Sequence, residues 1–221
     1  SVTGKRKVIL LSFFNFSTIS RFSTNNKILF FQCFQATQNE SVKMFCITLM
    51  RRMLFNIRDH NQDLPIESQQ NIYNVITSLI PNELNDNIRN NMGEFITILK
   101  LAPNESSTLE CNSFAFNLIQ TGQNSLIATA FHILIYGYSN HPDDQKAQLL
   151  ISVAPIAIQH LMNPDFNCRC KALELLTFLL FDDGNFEILN TNEELCETLS
   201  KSVIYNTNRV NTEAVDPNEA T

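Results

Sequence analysis

The stretch Ser41-Val42-Lys43-Met44-Phe45-Cys46-Ile47-Thr48-Leu49-Met50-Arg51-Arg52-Met53-Leu54 sets its apolar side chains at 42, 45, 46, 49, 50 and 53, with Ile57 next in the series. Steps of three and four residues place them along one face of an α-helix. A second helix opens at Leu64-Pro65-Ile66-Glu67, where proline suits the first turn. Its spacing turns Ile66, Ile72, Tyr73, Ile76, Leu79 and Ile80 inward, and Pro81 ends it. The same pattern restarts over 85–101, 107–121, 124–138, 143–162, 165–181 and 185–205, with Pro103, Gly122, Pro142, Pro164 and Gly184 in the polar breaks. This predicts an all-α chain of eight helices in four antiparallel pairs, preceded by an unpaired helix over 27–35. Pro155, inside the 143–162 stretch, is expected to kink its helix.

Composition supports that class. Only 5 of 221 residues are glycine, too few for the frequent turns of a sandwich or barrel and for a glycine-rich phosphate cradle. With 44% hydrophobic residues the chain can bury a core without staples, so its six scattered cysteines read as reduced core residues. Cys168-Arg169-Cys170 is a close pair, but no second Cys/His pair at finger spacing accompanies it. The net charge is −6, and the acidic excess gathers after Phe181, where nine carboxylates meet only Lys201 and Arg209. An acidic chain without clustered bases argues against a nucleic-acid role. Lys5-Arg6-Lys7 and the apolar run after it imitate a signal peptide, yet no small-residue cleavage site follows and the run is too short to span a bilayer. Residues 1–26 read as a divergent or frayed segment, 27–205 as the folded body, and 206–221 as an acidic disordered tail.

The body repeats. A polar residue, an apolar anchor and usually a base open the first helix of each expected pair: Ser41-Val42-Lys43, Asn87-Ile88-Arg89, Ser125-Leu126-Ile127 and Asn167-Cys168-Arg169, the third lacking its base. The anchors Val42, Ile88, Leu126 and Cys168 are 46, 38 and 42 residues apart. Those intervals bracket the period of HEAT and armadillo repeats. One helix pair cannot cover its own apolar face, so pairs stack into a continuous core. The expected architecture is a right-handed α-solenoid of antiparallel HEAT-type helix pairs, and the unpaired leading helix suggests a piece of a longer array.

On these residues, Glu40 to Leu54 resembles the second repeat of importin-beta family nuclear transport receptors, whose helix runs into a Leu-x-Arg-Arg-Leu-Leu-like sequence. Asp63-Leu64-Pro65-Ile66-Glu67-Ser68-Gln69-Gln70-Asn71-Ile72 is similar to the Leu-Pro opening of the following helix in the importin-beta-3 class. Residues 27–34 then stand where that class has the second helix of its first repeat, and the resemblance extends over about 27–200. It implies the N-terminal part of a nuclear import receptor working in cytoplasm, nucleus and nuclear pores. Its implied partners are a Ran-type small GTPase in the GTP form, Phe-Gly nucleoporins and cargo proteins, with no membrane and no cofactor. The alternative is a HEAT or armadillo-type interaction scaffold without a GTPase partner.

Partner-binding candidates come from helical periodicity. Glu67, Gln70, Asn71 and Asn74 face away from the core on one inner helix, and Glu110, Ser113 and Asn117 do so on the next. No enzyme is expected. His60, His132, His141 and His160 are isolated, and no H-E-x-x-H, G-x-S-x-G or nucleotide-binding pattern occurs. His132 reads as a satisfied core histidine. Arg51 and Arg52 either meet an acidic partner or bridge to the neighbouring repeat.

Overall fold

The computed structural model describes residues 24–59, 66–99, 105–138, 143–180, 193, 196–201 and 203–204. Among these residues every regular element is helical and no strand occurs. The elements are α1 (Thr24–Ala36), α2 (Glu40–Asp59), α3 (Ile66–Leu79), a 3₁₀ turn (Ile80–Asn82), α4 (Asp86–Leu99), α5 (Glu105–Gln120), α6 (Asn124–Tyr138), α7 (Asp143–His160) and α8 (Phe166–Leu180). Residues 193, 196–201 and 203–204 are also helical. Of the expected N-terminal segment 1–26, residues 24–26 belong to α1 and 1–23 lie outside the described residues, as does the expected tail 206–221.

The four anchors keep one local geometry. Each donates its backbone N–H three residues back: Val42 to Asn39 Oδ1 at 3.2 Å, Ile88 to Asn85 Oδ1 at 3.2 Å, Cys168 to Asp165 Oδ1 at 2.8 Å, and Leu126 to the Gln123 carbonyl at 2.9 Å. The helix caps are therefore Asn39, Asn85 and Asp165, two residues before the expected Ser41, Asn87 and Asn167. Only that placement lets a side-chain oxygen reach the third N–H of the helix. Ile88, Leu126 and Cys168 are buried, whereas Val42 is 41% exposed.

The chain forms two compact units. In the first, α1 packs on α2 across the three-residue turn 37–39, α3 packs on α4, and α2 lies beside α4. The helix expected to stand alone thus has α2 as its neighbour. In the second unit, α5 packs on α6 across a tight turn, α7 packs on α8, and α6 lies beside α8. The close hairpins join each helix to the capped helix after it, one step out of phase with the pairing expected from sequence. Short turns leave the chain no slack to put anything else alongside.

Each unit has an apolar core. Ile47, Ile76, Met92 and Ile96 are fully buried in the first, and Phe131, Leu134, Leu150, Ile158 and Leu175 in the second. Each such side chain contributes about 1.5–3 kcal/mol by leaving water. At the α5–α6 turn Gly122 has φ 72°, and its N–H closes on the Ile119 carbonyl at 3.2 Å. That left-handed conformation ends α5 and favours a residue without Cβ. α7 remains one helix through Pro155, whose ring lies on an exposed position.

Candidate partner-binding faces

On α3 the sequence-selected residues form one stripe. Glu67, Asn71 and Asn74 are exposed and Gln70 is half-buried, while Tyr73 and Ile76 fill the opposite, buried side. Residues three and four apart share a helix face, and Gln70 Nε2 donates to Asn74 Oδ1 at 3.0 Å. One carboxylate and three amides make a hydrogen-bonding surface with a weak negative bias. On α5, Ser113 and Asn117 are exposed opposite buried Cys111, Ala115 and Leu118. Glu110 departs from expectation: it is half-buried, and its Oε2 is out of contact with solvent. The two stripes belong to different compact units.

Periodicity missed an apolar component. Ile66, expected inward, is 76% exposed one helical turn before Gln70, and Leu109 is 56% exposed one turn before Ser113. Ile66 is the first residue of α3, before the helix settles its buried face, so the inward stripe of that helix begins later. Each polar stripe therefore starts at an exposed aliphatic side chain.

Two other singled-out groups are structural. Arg51 on α2 donates from Nη1 to Asn91 Oδ1 at 2.5 Å and pairs through Nη2 with Glu94 on α4. It bridges neighbouring helices, the second of the two roles open to it. Lys43 on α2 likewise reaches Glu83 at 2.7 Å in the turn before α4, and Glu40 accepts a bond from Asn85 Nδ2 at 3.0 Å. Burial alone would raise the Glu83 carboxyl, but the Lys43 hydrogen bond, the backbone N–H of Asn85 and the ammonium charge hold it below its ordinary range. His132 is buried, with its ring 4.8 Å from that of Tyr136.

The bases after two anchors perform one task. Arg89 is buried and donates to the Glu83 carbonyl, six residues upstream, at 2.7 Å while pairing with Asp86. Arg169, also buried, donates to the carbonyls of Asn163, six residues upstream, and Pro164 at 2.8 and 2.9 Å. Each guanidinium satisfies carbonyls of the turn that leads into its helix, groups that would otherwise be costly to bury.

The fold also brings Cys168 to His160, a histidine that looks isolated in sequence. Cys168 Sγ lies 3.8 Å from His160 Nδ1, and Asn163 Nδ2 lies 3.2 Å from the same nitrogen. A Cys–His–Asn relay needs the thiol and the amide on opposite ring nitrogens and a reachable, thiolate-prone sulfur. Here both contacts fall on one nitrogen, the cysteine is fully buried, and burial pushes its thiol up to about 11. The cluster is a packing joint. Cys170 points outward, and no group of three metal-ligating side chains occurs among the described residues. Nor, among them, is any helix long and apolar enough to cross a membrane.

Comparison of the chain with protein-family models, with curated proteins and with solved structures gives no match.

Proposed function

We propose that this chain is a protein-binding segment of a nuclear import receptor, built as a right-handed solenoid of HEAT-type helix pairs and gripping a Ran-type GTPase in its GTP state. The α3 face carries the proposal: Glu67, Gln70, Asn71 and Asn74 stand in one row, opposite the core and behind exposed Ile66. Such a row offers an apolar anchor and several modest polar contacts, the composition expected of a recognition surface. Ser113 and Asn117 behind Leu109 would add a second row on α5. The Arg51-Arg52 resemblance supports the family, and the recurrence of capped anchors at near-regular intervals supports the repeat.

Cargo and Phe-Gly nucleoporins are the further partners under this reading, with cytoplasm, nucleus and nuclear pores as its setting. The test is a titration of the chain against purified Ran loaded with a non-hydrolysable GTP analogue or with GDP. Binding confined to the GTP state is the expected result. Absence of binding in both states, with the chain shown helical and folded, would leave the interaction scaffold without a GTPase partner.

A further inference from the structure

A chain of hydrogen bonds in the second unit has its donor directions fixed by a backbone group. The Asp165 N–H donates to Asn163 Oδ1 at 2.8 Å, so the other terminal atom of that amide must be the NH₂. That NH₂ donates to Asn124 Oδ1 on α6 at 2.9 Å and points its remaining hydrogen at His160 Nδ1, 3.2 Å away at the end of α7. His160 Nδ1 is therefore an acceptor, and the proton of the neutral ring sits on Nε2. The ring meets Phe131 of α6 edge-on, with centroids 5.5 Å apart, and Cys168 of α8 brings its S–H to the same nitrogen. The turn and α8 thus meet α7 at one unprotonated nitrogen, with Phe131 of α6 against the ring.

We propose that His160 is a proton-sensitive joint: while neutral it holds the α7–α8 turn onto α6 through Asn163 and Asn124, and protonation of Nδ1 releases that turn. A proton on Nδ1 would face the Asn163 NH₂ donor against donor, leaving only the weakly accepting Cys168 sulfur to receive it. The surroundings offer little to compensate the new charge. From α8 and the turn before it come Cys168, Asp165 and Arg169; from α6 come Asn124 and Phe131, neither of which titrates; α7 carries no other charged side chain after Lys146. The Asp165 carboxylate accepts the Cys168 N–H, while the Arg169 guanidinium, of opposite charge, is held on the Asn163 and Pro164 carbonyls of the same turn. Burial also lowers the His160 imidazole below its ordinary 6.5. A depressed histidine stabilises the fold fully above 6.5, and that contribution declines as pH falls below 6.5 toward the folded value.

The test is an NMR pH titration of the full chain. The expected result is a His160 midpoint below 6.5, with the Asp165 and Cys168 backbone amides and the Asn163 side-chain amide shifting at that same midpoint. In His160→Asn, which keeps an acceptor and removes the titration, those amides should stop responding. In Asn163→Ala, which removes the opposing donor and provides a second route should the first variant not fold, the His160 midpoint should move up. A His160 midpoint at or above 6.5 would overturn the proposal. So would amides that ignore the titration, or the same amide response in His160→Asn.

Discussion

Two helix-on-helix joints, α2 beside α4 and α6 beside α8, share the way their second helix is capped and differ in chemistry. The first is tied by charge: Lys43 to Glu83, Arg51 to Glu94 and Asn91, Glu40 to Asn85. The second is tied by a neutral network, Asn124 to Asn163 to His160, around the Phe131 ring. Both nevertheless begin their second helix with a side-chain cap three residues before the anchor and a buried arginine turned back onto the preceding carbonyls. The apolar anchors and the caps set the architecture. The polar groups that cross the joint are interchangeable in kind, and their chemistry decides how each joint responds to its surroundings.

That distinction can be broken most severely through the cores. Phe131→Ala empties a fully buried site against which the His160 ring packs, and should cost about 3–5 kcal/mol in a denaturant titration. Next comes Glu94→Ala, which takes the carboxylate partner from half-buried Arg51 while its bond to Asn91 stays. Its cost should lie between the value for an exposed pair and that for a fully buried one, about 2 kcal/mol, and a paired Arg51→Met, Glu94→Leu replacement should recover most of it. Failure of the pair to recover stability would mean that the charges, rather than the apolar register, hold α2 to α4. Smaller again is Asp165→Ala, which removes the cap of α8 and should cost about 1 kcal/mol. Asn85→Ala at the matching cap of α4 should cost a similar amount, and strongly unequal values would deny the equivalence of the two joints.

Acid separates the joints without mutation. Glu83 is depressed in the folded state, so its contribution is complete above the ordinary 4.5 and is lost as pH falls through the lower folded value. His160 is depressed from 6.5, so its contribution begins to decline some two pH units earlier. The second unit should therefore loosen before the first as the solution is acidified.

Much of the helical framework was legible in the sequence. The 124–138 helix is found with the boundaries its apolar pattern and flanking Gly122 predict, and 27–35 is extended by only a few residues. Its caps are harder to place, because two capping-type residues stand close together at three of the starts and only the hydrogen bonds distinguish Asn85 from Asn87. The pairing of hairpins is not legible for a related reason: periodicity gives a helix its buried side but not the neighbour that covers it. Of the proposed faces, the α3 stripe could be read from spacing, while the exposure of Ile66 and the half-burial of Glu110 could not. Contacts such as Arg51 with Glu94, 43 residues apart, have no local signature at all; they exist only once α2 and α4 lie side by side.

The most direct measurement is hydrogen exchange of the intact chain at pH 7.0 and 5.5, with rates corrected for the intrinsic pH dependence of amide exchange. Protection should fall at the α7–α8 turn and the start of α8, residues 161–168, and hold steady across 83–94, where Glu83, depressed below 4.5, keeps its charge. Parallel loss at both places, or loss confined to 83–94, would contradict the account of two like joints closed by different chemistry.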